Sequence, residues 1–253
     1  MITKISAVIV AHNEESKIED CLKSLSFVDE IVVVLDKCSD GTKAIVQKYT
    51  NNIVEGSWNI EGARRNAAQK AAHGDWILEI DADERISKEL SDEILEVTKD
   101  SKPCAFIVPI HNYIGKRYVK FGWVRTLGVL GRQTINYRGL KIYHEDKEIH
   151  PTCDLNAEVK YLENPIIHLV DEDVTDLLAR FNRYTNWRAN DIVRTGKAKK
   201  SSFKLLLGFK LRFLKSYISH KGYKEGFLGF LIAILAGLYP LVSYLKAKEK
   251  LSK

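Results

Sequence analysis

Two aspartates, Asp81 and Asp83, stand one residue apart just past the apolar run Trp76-Ile77-Leu78-Glu79-Ile80. Carboxylates at i and i+2 on an extended turn can face one hard cation, and Mg2+ or Mn2+ takes one or two carboxylates together with phosphate oxygens. That donor set suits a diphosphate leaving group. The competing reading of a lone Asp-x-Asp is an acidic turn that caps the following helix. A second acidic turn follows an earlier apolar run, where Val34-Leu35-Asp36 leads into Lys37-Cys38-Ser39-Asp40-Gly41-Thr42. Asp36 could accept from a base N–H or a ribose hydroxyl, while Ser39 and Asp40 could cap the next helix and Gly41 permits a tight turn. A third run ends in Val10-Ala11-His12-Asn13-Glu14-Glu15, small and polar residues able to line the same crevice.

These residues need a scaffold that brings them to one edge. The first hundred residues alternate short β-branched runs with helical patterns, the sequence form of a parallel sheet with crossover helices. Expected strands are Ile5 to Ala11, Glu30 to Leu35, Ile53 to Glu55 and Asp75 to Ile80. Helical spacing connects Ile18, Leu22 and Leu25, then Ile45 and Tyr49, and an Ala-rich stretch runs from Ala63 to Ala72. In an open sheet of this kind ligands bind outside the carboxyl ends of the strands, where all three polar turns lie. No Gly-x-Gly-x-x-Gly and no Gly-Lys-Ser/Thr loop is present, so the dinucleotide-binding and P-loop readings lose their main support. From Cys104 to Leu169 short strands and aromatic residues complete the same domain, and a helical segment runs from Val174 to about Val193.

Val8 to Glu15, the Asp36 to Thr42 turn, Gly62-Ala63-Arg64-Arg65-Asn66, and Gly74 to Leu78 running into Asp81-Ala82-Asp83 resemble, in order and spacing, the GT-A domain of family 2 glycosyltransferases. The resemblance implies an α/β, Rossmann-like, mostly parallel sheet with flanking helices and a metal-dependent, inverting sugar transfer. It assigns Ala11, Asn13, Glu14 and Asp36 to the nucleoside, Arg65 to the base or phosphates, and Asp81 and Asp83 to a Mg2+ or Mn2+ ion and the sugar diphosphate. Residues 111 to 170 resemble, more loosely, the lipopolysaccharide core glycosyltransferases, through Phe121-Gly122-Trp123, Ile149-His150, Leu162 to His168 and Phe181 to Thr185. In that subgroup a Glu follows the first His, whereas here Pro151 stands in its place.

Inversion at the anomeric carbon requires a carboxylate to take the acceptor proton. Glu145, Glu148 and Asp154 are the nearby candidates, and Glu148 is preferred for its closeness to His150. His168, ending an apolar run, is either a third metal ligand or a hydrogen-bonded core histidine. Trp123 and His150 are candidates for the acceptor site, Trp123 by stacking on a sugar face or else serving as core packing.

Charge is distributed unevenly. Residues 1–191 hold 25 Lys and Arg against 31 Asp and Glu, a balance of −6, whereas residues 192–253 hold 14 against 2, or +12. Between Ile192 and Lys224 there is no acidic residue, and Phe227 to Leu245 carries no charge at all. At about 100° per residue Lys197, Lys200, Lys204, Arg212 and Lys215 share one face, while Leu205, Leu206, Phe209 and Phe213 occupy much of the rest. A basic amphipathic helix of this kind lies in a membrane interface. The expectation is a GT-A domain over 1–195 and a helical membrane-associating region over 196–253, with residues 227–245 either spanning or lying on the bilayer.

The four cysteines form no Cys-x-x-Cys pair, and Ile5 to Ala11 runs into charged residues with no cleavage site, so a strand in a reducing cytoplasm is expected and not a signal peptide. The partners expected are a nucleotide-sugar donor, a lipid-linked saccharide acceptor and an anionic membrane surface, with the protein peripheral on the cytoplasmic face. A nucleotidyltransferase would need a glycine-rich, Lys-bearing loop after the first strand, which Ala11 to Ser16 lacks. Nucleic-acid binding by the basic tail lacks an aromatic platform and is not expected.

Overall fold

The structure, a computed structural model, describes residues 3–146, 151–196 and 202–252. In chain order the elements are β1 (Ile5–Ala11), α1 (Ile18–Lys23), β2 (Glu30–Asp36), α2 (Thr42–Val46), β3 (Ile53–Gly56), α3 (Glu61–Ala71), β4 (Trp76–Ile80), β5 (Glu84–Arg85), α4 (Lys88–Asp100) and β6 (Ala105–Val108). There follow β7 (Ile110–Ile114), β8 (Arg117–Val119), β9 (Arg132–Tyr137), β10 (Lys141–Tyr143), β11 (Cys153–Leu155), β12 (Val159–Tyr161), β13 (Ile166–Asp171), α5 (Val174–Arg194), α6 (Ser202–Leu214) and α7 (Gly226–Leu251).

The chain divides into two compact units, one of residues 1–110 and 131–168, the other of 111–130 and 169–253. The expected boundary at 195/196 falls within the second unit, because α5 packs on α7 and so groups with the C-terminal helices.

In the first unit a seven-stranded sheet runs in the order β12-β6-β9-β4-β1-β2-β3. All pairings are parallel except those of β9, which lies antiparallel between β4 and β6. The four strands expected near the N-terminus form within a residue of the expected bounds. Side chains alternate across the strands, so Ile5, Ala7 and Ile9 join Leu22, Leu25, Leu90 and Ile94 on one face. Val8, Val32, Val34 and Ile77 meet Ala68 and Ala72 on the other. Both faces are therefore covered, which explains why β1, β2 and β4 read as nearly continuous apolar runs. Small residues let α3 approach closely: a Cβ on Gly62 would come within 2.1 Å of the His144 carbonyl oxygen. All four cysteines are free thiols.

The second unit is built on α5, α6 and α7. Ile114, Val119, Val124, Leu177 and Ile232 form its apolar centre. Glu225, at the start of α7, accepts from the backbone N–H groups of Lys120 and Phe121 at 3.0 Å each and pairs with Arg117 at 3.0 Å. Buried Asp171 takes two bonds from the Arg180 guanidinium, at 2.6 and 2.7 Å. The expected uncharged segment 227–245 lies within α7, a helix long and apolar enough to cross a membrane by length and composition. Of the apolar face expected on α6, Leu205 turns inward, but Leu206 is 63% exposed. Lys197 and Lys200 lie outside the described residues.

Candidate active site

The ends of β1, β2 and β4 carry the three polar turns, all within the first unit. Asp81 and Asp83 follow β4, and the turn they occupy is closed by the Glu84 N–H donating to the Asp81 carbonyl at 3.0 Å. Arg85 braces it from behind, donating to the carbonyls of Ala82 (2.8 Å), Glu84 (2.7 Å) and Lys17 (2.7 Å). The cap of α4 is Ser87, whose hydroxyl accepts from the Leu90 N–H, so the helix-capping explanation of the two aspartates does not hold.

Asp81 faces two cations. Arg132, the first residue of β9, reaches it at 3.1 Å, and Arg65 of α3 at 3.6 Å. Burial would raise the Asp81 pKa, but Arg132 and Arg65 outweigh it and hold the carboxyl below the usual range. Arg132 also bonds both oxygens of Glu84, a fully buried carboxylate whose pKa burial pushes up despite this partner. Arg65 is itself oriented by Glu61, one turn earlier on α3, at 2.9 Å.

Asp83 lies beside His168 of β13, with Oδ2 and Nε2 3.5 Å apart. The β5–β13 pairing, in which His168 is the partner of Glu84, sets this contact. Burial would lower the His168 pKa, yet the bond to Asp83 and the surrounding carboxylates raise it. Among the described residues no group of three or more His, Cys, Asp or Glu side chains is arranged to hold a metal ion. The three-ligand set expected of Asp81, Asp83 and His168 is thus present as an Asp83–His168 pair, with Asp81 turned to arginine. One carboxylate and one imidazole suit Mn2+ or Mg2+ when diphosphate oxygens complete the shell, so the donor set fits such an ion.

Asp36 is 3% exposed at the end of β2. One of its oxygens accepts from the Trp58 N–H at 3.0 Å and the other pairs with Arg64 at 2.7 Å. Asn13, in the left-handed region at φ 57°, accepts from the Ser39 N–H at 2.8 Å. The Glu14 N–H donates to Thr42 Oγ1 at 2.8 Å, and Asp40 accepts from the N–H groups of Glu15 and Thr42. These bonds knit the ends of β1 and β2 into one rim around Ala11, which is fully buried.

Of the candidate bases, Glu145 is exposed and bonded by Asn66 at 3.0 Å, and Asp154 pairs with His144 at 3.0 Å. Glu148 and His150 lie outside the described residues. Trp123 belongs to the second unit, on a 3-10 turn at Gly122–Thr126, and packs against its apolar centre with the Arg212 guanidinium 5.3 Å from its ring.

Sequence reasoning missed Arg132, and also a buried polar group beneath α3. Glu79 of β4 takes bonds from Gln69 (2.6 Å), Lys141 (2.8 Å) and the Tyr143 hydroxyl (2.5 Å). Burial first, and then the Glu79 charge, push the Tyr143 hydroxyl well above its ordinary pKa. The signal available was the in-strand Glu79, a lone charge in an apolar run that a buried strand tolerates only with a partner.

A doubly wound sheet binds its ligands outside the carboxyl ends of its strands, where these carboxylates and arginines stand. Residues 6–157 match the profile of Glycosyl transferase family 2, and the chain belongs to that family; it is a glycosyltransferase. It is similar to an uncharacterized glycosyltransferase of Rickettsia felis (strain ATCC VR-1525 / URRWXCal2), with 26% identity covering 99% of this chain and 91% of the relative. It is also similar to the lipopolysaccharide core biosynthesis glycosyltransferase LpsC of Rhizobium meliloti (strain 1021), with 23% identity covering 99% and 94%. The crystal structure of Staphylococcus aureus TarS 1-349 shares the fold, with a TM-score of 0.51 and 19% identity over 97% of this chain and 88% of that one.

Proposed function

We propose that this chain transfers a sugar, with inversion, from a nucleotide-sugar donor to a lipid-linked saccharide such as lipopolysaccharide core, at the cytoplasmic face of the membrane. The observation that carries the reading is the turn after β4, where Asp81 and Asp83 stand among Arg65, Arg132 and His168. A donor that loses a nucleoside diphosphate needs positive charge where the leaving group develops its own. Arg65 and Arg132, held in fixed positions by Glu61, Asp81 and Glu84, would donate N–H groups to the diphosphate, and the bound ion would add the charge their carboxylate partners offset. Asp83 and His168 would hold the divalent ion, which when bound acts as a Lewis acid on the diphosphate. Asp36 and Arg64, with Asn13 and Glu14 on the rim that buried Ala11 supports, would seat the nucleoside. A carboxylate takes the proton of the attacking hydroxyl, a role proposed for Glu148, with Glu145 and Asp154 as the alternatives. Acceptor contacts are proposed for Trp123 and His150.

The similarity to LpsC, whose name specifies lipopolysaccharide core biosynthesis, and the basic C-terminal region support the acceptor and membrane parts of the reading. A panel of UDP-, GDP- and dTDP-sugars, assayed for nucleoside diphosphate release with Mn2+ and with EDTA, tests it. Metal-dependent release from one donor class is expected. No release from any donor, or full release in EDTA, overturns it.

A further inference from the structure

The solvent side of α6 is apolar although its inner side already has a partner. Leu205 is buried, and Phe209 meets α7 where Gly237 leaves room, since a Cβ there would lie 2.8 Å from the Phe209 ring. On the opposite side Leu207, Leu211 and Leu214 are 43%, 57% and 40% exposed. At about 100° per residue these three fall within roughly 60° of one another. Ile218, on the π turn Lys215–Ser219 that follows, extends the row and is 56% exposed. Lys210 stands exposed on one flank of the row, and Lys204 and Lys215 on the other. Phe227, in the first turn of α7, is 94% exposed, and one turn later Phe230 packs on Phe213 and Tyr217 with ring centroids 5.8 Å away.

The longer apolar helix is differently placed. Ile232, Ala233, Ala236, Ser243, Tyr244 and Ala247 of α7 are buried. Lys246 reaches Asn182 Oδ1 at 2.6 Å and Thr185 Oγ1 at 2.8 Å, and Lys250 reaches Asn190 at 2.5 Å, all on α5. That helix carries Arg180, Arg183, Arg188, Asp191 and Arg194. A spanning α7 would have to shed α5 or carry these charges into hydrocarbon, where they are costly.

We infer that α6, with Phe227, is the membrane-embedding face of the protein, set at the headgroup and acyl-chain boundary of one anionic phospholipid leaflet, and that α7 is its buried support and not a span. The inference rests on the membrane part of the proposed function and narrows it to one surface. Charge complementarity selects the occupant: a leucine row flanked by lysines, in a stretch without an acidic residue from Ile192 to Lys224, matches acyl chains below anionic headgroups. A second copy on this face would set lysines against lysines. RNA would meet leucines where it needs rings to stack on.

The test is cosedimentation of the full chain with phosphatidylethanolamine/phosphatidylglycerol vesicles and with phosphatidylcholine vesicles. The wild type is expected to bind the anionic vesicles at least tenfold more tightly than the neutral ones. Leu211→Glu with Leu214→Glu should lower anionic binding at least tenfold, whereas Leu95→Glu, at a leucine of α4 that is 43% exposed, should not change it. As a milder probe, an NBD label at Leu211→Cys in a background carrying Cys38→Ser and Cys153→Ser should shift to the blue with anionic vesicles. Wild-type binding by the double variant, unshifted NBD emission, or a concentration-dependent dimer that the double variant abolishes overturns the inference. Donor binding, measured separately by nucleotide titration, distinguishes the two readings. Vesicle binding through these leucines without donor turnover leaves this surface standing and the transferase chemistry refuted, and the converse refutes the surface alone.

Discussion

Arg132 closes on the fully buried carboxylate of Glu84, its Nη2 lying 2.7 and 2.6 Å from the two oxygens. One residue binds the turn that carries the aspartates to the strand inserted beside it. Replacing Arg132 with Ala leaves a buried carboxylate without its cation, which costs about 3–5 kcal/mol. A fall in melting temperature of about 10 °C or more is expected from that loss. Arg132→Lys, which keeps the charge but not the fork, should recover part of it. Thermal unfolding of the two variants checks this, and equal melting temperatures for Arg132→Ala and wild type would contradict the role given to the pair.

Asp83 has the opposite character. Its side chain is 29% exposed and faces His168 at 3.5 Å, so its removal disturbs little of the fold. Asp83→Asn should leave the melting temperature within about 2 °C of wild type, as surface substitutions commonly do, and lower transfer by at least about a hundredfold. Turnover with a saturating Mn2+ titration reads the second effect. A variant that turns over at the wild-type rate removes Asp83 from the chemistry.

Asp36 combines both roles. Asp36→Ala strands the Trp58 N–H and the Arg64 guanidinium, at a cost of about 2–4 kcal/mol. Asp36→Asn keeps an acceptor for Trp58 and should be the more stable of the two. Both should weaken nucleotide binding more than they slow the bound-state step, because the role proposed for Asp36 is to seat the nucleoside and not to touch the reacting carbon. Isothermal titration with the nucleoside diphosphate, beside kcat at saturating donor, separates these. Unchanged affinity in Asp36→Asn would make the residue purely structural.

Acid stability should depend on Glu30, at the start of β2. Burial raises its pKa, but the His73 N–H at 2.8 Å, the Ser6 hydroxyl and the His73 ring together lower it below 4.5. A carboxyl more acidic when folded than when unfolded contributes stability above its unfolded pKa and loses it as pH falls through the folded one. Glu30→Gln should therefore be less stable at pH 7 and approach the wild type as pH drops below about 4.5. Urea unfolding at pH 7 and at pH 3.5 measures the difference, and a gap that stays constant with pH would rule out the linkage.

The parallel strands and their polar ends were legible because short β-branched apolar runs and strand-end aspartates are local patterns. Asp36, Asp81 and Asp83 were found that way and do stand at strand ends. Arg132 was not legible, since nothing near it in sequence marks a cation; its partners Asp81 and Glu84 lie far back along the chain, and only the antiparallel insertion of β9 brings them together. Lys141 and Tyr143 escaped for the same reason, reaching Glu79 from β10. On α6 the apolar residues were visible but their allegiance was not. A helix with leucines on two sides gives no local sign of which side has α7 as its neighbour.

The single reversed strand also sets an order of assembly. The quartet β3-β2-β1-β4 is joined by short crossovers and can form from the first eighty or so residues on local closures alone. By contrast β6 reaches that quartet only through β9, and β12 only through β6, so these three strands wait on one long loop closing. During synthesis, the edge of β4 therefore stays unpaired until Arg132–Tyr137 has been made. It is there that a chaperone would find its grip, and there that a truncated chain ending before Arg132 would stick to its neighbours.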